Sequence, residues 1–190
     1  MAYPKTHETA VNLIKDLDKD IKIIDLGCGQ GEIVKELRRL GFKNIEYCDL
    51  EDIFDGKVKL MDFNKPLKYE DNSFDLAICI EVVEHLENKY HFFRDVKRIL
   101  KKDSLFVFST PNISNLPNRL LYLLKAKFIE FNPNEMPPHI NPFFLWELPK
   151  FLKIKKIVYN RGFIPVLRIP FISNSLFGQT IIVKCKVDKK

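Results

Sequence analysis

An α/β fold with a mostly parallel sheet is what this sequence predicts, and three observations predict it. The first is the stretch 21–32, IKIIDLGCGQGE. It runs from an apolar strand-like segment (Ile21, Ile23, Ile24, Leu26) into glycines at alternate positions, Gly27, Gly29 and Gly31. A helical pattern follows, with Ile33, Val34, Leu37 and Leu40 on one face, and it stops at Gly41. The second is that short β-branched runs recur between helix-like runs along the chain, the pattern of a sheet with helices on both faces. The third is that 153–159 and 179–187 both alternate like strands and read as a terminal antiparallel pair. With the runs at 21–26, 44–49, 57–63, 74–80 and 104–109, seven strands are expected.

Length and composition allow one domain over residues 1–190. A hydrophobic fraction of 46% beside 29% charged residues suits a globular chain with a full core. No apolar run approaches the length needed to cross a bilayer, and the opening MAYPKTHETA lacks a secretory apolar region, so the expected location is the cytoplasm. Cys28, Cys48, Cys79 and Cys185 form no CxxC pair and read as buried free thiols. The net charge of +6 is unevenly spread: from Ser114 onward there are 13 Lys/Arg against 4 Asp/Glu. Such a surface attracts an anionic substrate, nucleic acid or a membrane, or is simply a solvated lysine-rich face.

The glycine spacing selects the ligand. A dinucleotide fingerprint, GxGxxG, requires glycine at 32, where this chain has Glu32. A pyrophosphate wants bare amides at a helix N-terminus, and Asp25 and Glu32 would oppose it. An acid beside the turn suits a ligand with a cationic end, such as the amino group of a methionine moiety. DLGCGQGE resembles the first motif of the class I S-adenosylmethionine (SAM)-dependent methyltransferases, and the resemblance extends along most of the chain. It implies a Rossmann-like methyltransferase fold with SAM as cofactor, and small relatives of the type 11/23 and ubiquinone-biosynthesis O-methyltransferase branch as the nearest likeness. Asp25, Gly27, Cys28 and Gly29 are then expected at the cofactor.

Taken in order, residues 7–17 read as an amphipathic helix, which in similar enzymes packs over the cofactor. Tyr3 and His7 either face that pocket or lie on a frayed terminus. Strand 44–49 ends on Asp49, 20 residues after Gly29. A carboxylate there accepts two ribose hydroxyls at once, and Leu50 follows it at the cofactor. Residues 50–56 are short for a parallel crossover, where the family commonly has a helix, so a more open adenine pocket is expected. Strand 57–63 ends in Asp62 and Phe63, which the resemblance places at adenine. DNSFDLAICIEVVEHLEN, 71–88, is the second strong likeness to the family: it puts Ile80 and Glu81 at the cofactor and EVVEH, at the C-terminal end of the fourth strand, facing the methyl group. Helix 91–101 and strand 104–109 follow; LKKDS stands where the family usually has LKPGG.

Beyond Asn112 the sequence is no longer generic. Residues 116–129 read as a basic amphipathic helix, 132–142 as a loop with four prolines, and 143–152 as another helix with Phe144, Leu145, Leu148, Phe151 and Leu152 apolar. The stretch 113–152 is therefore expected to be a lid or substrate-selecting insert.

Methyl transfer from a sulfonium is an in-line displacement in which holding donor and acceptor together is the main task. A base is needed only if the acceptor must lose a proton; Glu84, His85 and His139 are the catalytic candidates. Two families with ExxEH here use both glutamates and the histidine as divalent-metal ligands: the ubiquinone-pathway O-methyltransferases and the small-RNA 3′-terminal 2′-O-methyltransferases. Mg²⁺ or Mn²⁺ would suit Glu/His ligands, yet many metal-free relatives also read EHL, and both readings stay open. The expected acceptor is a small molecule, methylated at oxygen. The alternative is RNA, bound through the basic C-terminal part.

Overall fold

The computed structural model describes residues 5–131, 134, 137–160 and 174–189. A seven-stranded sheet runs through it in the order β3-β2-β1-β4-β5-β7-β6. Its strands are β1 (Lys22–Leu26), β2 (Asn44–Asp49), β3 (Lys59–Leu60), β4 (Phe74–Cys79), β5 (Leu100–Pro111), β6 (Leu152–Tyr159) and β7 (Thr180–Val187). β1 to β5 are parallel, and β7 is antiparallel to both β5 and β6.

Period-two alternation turns successive buried residues of the central strands to opposite faces of the sheet. On one face Ile23, Leu76, Ile78, Val107 and Ile182 pack with α1 (Thr6–Asn12) and with Ile33 and Leu37 of α2 (Glu32–Arg39). On the other, Ile24, Leu26, Ala77, Cys79, Phe106 and Phe108 meet Phe92, Phe93, Val96 and Ile99 of α3 (Lys89–Ile99). The strands read as continuous apolar runs because both faces are covered. All four cysteines are buried and free, as expected.

Several boundaries differ from the sequence expectation. The first helix ends at Asn12 rather than near Leu17. β3 is two residues long, not seven. As its shortness leads one to expect, no helix follows β2; one carboxylate orders this turn, with Asp52 Oδ1 accepting from Phe54 N and Gly56 N and Oδ2 from Val58 N. β5 starts at Leu100, through Asp103 in the left-handed region (φ 63°), which Asp tolerates where the family carries glycine.

The helix expected at 143–152 is not formed. A single 3-10 turn, Leu145–Glu147, lies there instead, and Leu152 already belongs to β6. Pro149 lacks the N–H that a continuing helix needs, and it follows Leu148 in extended geometry (ψ 127°). The helix expected over 116–129 is α4 (Leu116–Lys125), ended by Ala126 in the left-handed region (φ 51°). Among the described residues no helix is long and apolar enough to cross a membrane.

The lysines at 153, 155 and 156 are exposed on β6, the edge strand of the sheet. Lys153 pairs with Asp188 at 2.5 Å. The register places Lys153 level with Ile23 and Lys156 level with Asp25, but on the edge strand, four strands across the sheet from β1 and its glycine turn. Charged side chains on an edge strand discourage pairing with another sheet, which accounts for the run without a ligand.

Candidate active site

The C-terminal ends of β1, β2, β4 and β5 meet at one end of the sheet, where ligands of open α/β sheets bind. The turn after β1 is built by close approach. Gly27 (φ 90°) lies so near Val82 that an added Cβ would stand 2.3 Å from its Cγ2, and a Cβ on Gly31 (φ 76°) would meet the Phe54 ring at 2.4 Å. A Cβ at Gly29 would meet nothing within 4 Å, so this glycine borders open space. Asp49 ties the turn to β2: Gly29 N donates to its Oδ2 (2.8 Å) and Leu50 N to its Oδ1 (2.7 Å).

Asp25 is 1% exposed, and neither carboxylate oxygen has a hydrogen-bond partner. Burial first, then the charges of Asp49 and Glu32, pushes its pKa up to about 8. A buried acid with no donor beside a gap at Gly29 is the complement of a cationic ligand group. Cys28 is also buried in this turn, and burial pushes its thiol up to about 12. Tyr3 lies outside the described residues. His7, on α1, faces Glu32, and its burial lowers its pKa against that charge.

Asp62 is half-buried, with Oδ1 accepting from Asn64 N (3.0 Å) and Oδ2 paired with Lys65 (3.2 Å). The Asn64 amide is the largest of the contacts that lower its pKa. Phe63 sits in the core, its ring 5.8 Å from that of Phe92. The open pocket beside Asp62 is instead lined by Leu50, Leu60 and Met61. Leu60 and Met61 were not foreseen; the only sequence signal was their place before Asp62.

At the end of β4 the chain turns through Glu81, a non-glycine residue at φ 55°, the strain of a site held by its surroundings. Ser109 Oγ, at the end of β5, accepts from Glu81 N (3.0 Å) and donates to Glu81 Oε1 (2.7 Å). Burial pushes the Glu81 pKa up to about 7, with the Ser109 hydrogen bond opposing. Ile80 is buried beside it. A 3-10 turn, Val83–His85, then carries Glu84, 0% exposed, whose carboxylate has no hydrogen-bond partner. Burial, then the Glu81 charge, raises its pKa well above the ordinary range.

The segment 138–147 comes to this turn. Ile140 N and Asn141 N both donate to Glu84 O at 3.0 Å, and Asn141 Nδ2 donates to Leu86 O (2.9 Å). Phe143 is buried against Phe93 and Phe108, and Lys89 Nζ is 3.0 Å from Glu147 Oε1. His139 is thereby brought to His85, with ring centroids 4.7 Å apart. Both rings have Nδ1 against a backbone carbonyl, His85 at Pro138 O (3.0 Å) and His139 at Glu130 O (2.6 Å). A carbonyl only accepts, so Nδ1–H is the donor in each ring and Nε2 carries the lone pair. Glu84, His85 and His139 each offer a ligand atom within 4.8 Å of the others, which meets a test that spacing in sequence cannot make. Glu81 is not part of that group.

Strand order, glycine turn and acid at the end of β2 together define a class I SAM-dependent methyltransferase. The chain belongs to the methyltransferase-domain family, whose family model matches residues 4–147; SAM is the methyl donor of that family. A ubiquinone biosynthesis O-methyltransferase from Rickettsia bellii is 26% identical over 160 residues, covering 74% of this chain and 66% of the relative. One from Pelagibacter ubique is 28% identical over 140 residues, 62% of this chain and 56% of the relative. The chain thus spans less than two thirds of the length of these curated relatives. Among solved structures, a SAM-dependent methyltransferase from Archaeoglobus fulgidus superposes with a TM-score of 0.70 at 19% identity, over 95% of this chain and 92% of that one. At that identity the likeness fixes the fold alone.

Proposed function

We propose that the protein transfers the SAM methyl group to a hydroxyl of a small, lipophilic acceptor. The observation that carries this reading is the meeting of Glu84, His85 and His139 at the C-terminal end of β4, beside the glycine turn. The O-methyltransferase names of the relatives agree with it. In the proposed arrangement Asp25 faces the methionine amino group, and Gly27, Cys28 and Gly29 line the turn. Asp49 accepts the ribose hydroxyls while keeping its amide bonds, since an ionised carboxylate has about four acceptor sites. Leu50, Leu60, Met61 and Asp62 stand toward adenine, with Ile80 and Glu81 below the methionine. The insert, 113–152, selects the acceptor, because its loop supplies His139.

Two routes to an activated hydroxyl are compatible with the three side chains. In the first, His85 or His139 accepts the hydroxyl proton at Nε2 as the methyl–sulfur bond breaks. In the second, Glu84, His85 and His139 hold a divalent ion such as Mg²⁺ or Mn²⁺, which when bound would supply Lewis acidity to the hydroxyl. The unpartnered buried carboxylate of Glu84 favours the second route, because a cation would satisfy it. RNA as acceptor gains no such support, since the lysines 153, 155 and 156 stand on the edge strand β6, four strands across the sheet from the glycine turn.

Labelled SAM, with a panel of hydroxylated aromatic and lipophilic acceptors, tests the reading. Label should enter an ether-forming position and be lost in His85→Ala. Methylation confined to amines or to RNA would overturn it. Calorimetric titration of Mg²⁺ and Mn²⁺ into wild type and Glu84→Gln separates the two routes without any acceptor.

A further inference from the structure

α4 is amphipathic, but it is turned outward. Its leucines at 116, 120, 123 and 124 follow the i, i+4, i+7, i+8 spacing of a single apolar stripe. That stripe faces solvent: Leu120 is 52% exposed, and Leu123 and Leu124 are each 81% exposed. The face turned inward is polar. Asn118 is fully buried; its Oδ1 accepts from Ile129 N (2.7 Å), and its Nδ2 donates to Glu130 Oε2 (2.8 Å) and Asn112 O (3.3 Å). The helix is therefore fixed by a hydrogen-bonded asparagine, and its leucines take no part in the core. The charged residues of this segment are all cations and all exposed: Arg119 flanks the stripe, Lys125 ends the helix, and Lys127 follows it. No acidic residue occurs from Ser114 to Ile129, and Glu130, the next one, is buried.

We propose that α4 is a membrane-surface helix that lays its leucine stripe into the interface of a bilayer with anionic headgroups. An exposed apolar stripe on a segment whose charges are all cationic fits a surface that is apolar below and negative above. A second copy of the chain fits less well, because face-to-face pairing would bring two cationic segments together. α4 begins four residues after Asn112 in a chain that has just left the site end of β5, so docking would turn the site toward the bilayer and let a lipophilic acceptor enter without crossing water. That last consequence rests on the acceptor reading above; membrane binding does not, and the two fail separately.

The test is sedimentation of the full chain with vesicles of phosphatidylcholine alone and of phosphatidylcholine mixed with phosphatidylglycerol. Binding to the mixed vesicles, falling as salt is raised, is expected. Leu123→Ser/Leu124→Ser should weaken it by about tenfold or more, the scale for two exposed leucines entering an apolar phase. Arg119→Gln and Lys125→Gln should each weaken it by about fivefold. Calorimetric SAM affinity, unchanged in all three variants, serves as the check on folding. Absence of binding, equal binding to both vesicle types, or binding indifferent to the serine pair would overturn the proposal. So would a dimer in sedimentation velocity that the serine pair disperses, which would give the stripe to a second copy.

Discussion

Replacing Asp25 by Asn tests whether the glycine turn is built for a cation. The side chain keeps its shape and loses its charge. In the folded protein the Asp25 pKa stands at about 8, against an ordinary 3.8, because burial disfavours the charged form and Asp49 and Glu32 add like charge. The buried thiols of Cys28, Cys48 and Cys79 share this pocket and stay neutral, so nothing cationic offsets the acid. For a group with a raised folded pKa, stability is fully present below the unfolded value and is lost as pH rises through the folded one. The wild type should therefore lose stability between about pH 4 and 8, where the unfolded chain has released a proton that the folded chain keeps. At about 1.4 kcal/mol per pH unit, the interval from 3.8 to neutral pH sets a ceiling of about 4 kcal/mol on the loss. Relaxation and water entry reduce it, so about 1–3 kcal/mol is expected at pH 7.

Urea denaturation of wild type and Asp25→Asn across pH 4 to 8 reads this directly. The two should be nearly equal at pH 4, with the Asn variant pulling ahead as pH rises. SAM should reverse the order. An ammonium group facing Asp25 needs the ionised carboxylate, so wild-type affinity should rise by up to about tenfold per unit between pH 5 and 7 as one proton is released. The variant should bind weakly with no such slope. A stability gap that does not change with pH, or wild-type SAM affinity without a slope, would refute the assignment of Asp25 to a cationic group.

Asp49→Ala should weaken SAM binding by about 1–3 kcal/mol, the scale of hydrogen bonds to a charged acceptor; calorimetry checks it, and unchanged affinity would remove Asp49 from the ribose. Gly31→Ala should destabilise the fold by about 1–3 kcal/mol through the Phe54 ring and the left-handed backbone, seen as a lower denaturation midpoint. His85→Ala should lower turnover by about 10²–10⁴-fold with SAM affinity unchanged. If the ion route holds, a chelator should do the same to the wild type and His139→Ala should match it. Neutralising Lys153, Lys155 and Lys156 should leave turnover and salt dependence unaltered; a shallower salt slope for RNA binding would reopen the RNA alternative.

What was legible in the sequence follows the range of the forces involved. Strand–glycine–helix, the short β-branched runs between helix-like runs, and the alternation of β6 and β7 are local patterns, and they gave the fold and the order of its elements. β2 lies at 44–49, as expected. The short turn in place of a crossover helix at 50–56 was legible too, since seven residues are too few to carry one. The helix expected at 143–152 failed because its apolar spacing arises from a different cause. Phe143 is buried by α3 and β5, Leu152 by the edge of the sheet, and the residues between them are bent by Pro149 and held by the Lys89–Glu147 pair. Apolar residues spaced like a helix need not form one when two different surfaces bury them.

α4 shows the converse. Its periodicity was read correctly, yet period alone does not say which face turns inward. Asn118 decides that, through partners at 112, 129 and 130 that only the folded chain brings together. The same holds for His139. Its sequence neighbourhood, proline on one side and aromatics on the other, suggested a loop near the site. Its approach to His85 depends on Ile140 and Asn141 donating to the carbonyl of Glu84, a pairing of backbone groups more than fifty residues apart. Side-chain identity marked the chemistry of this site, and main-chain hydrogen bonds, which carry no sequence signature, assembled it.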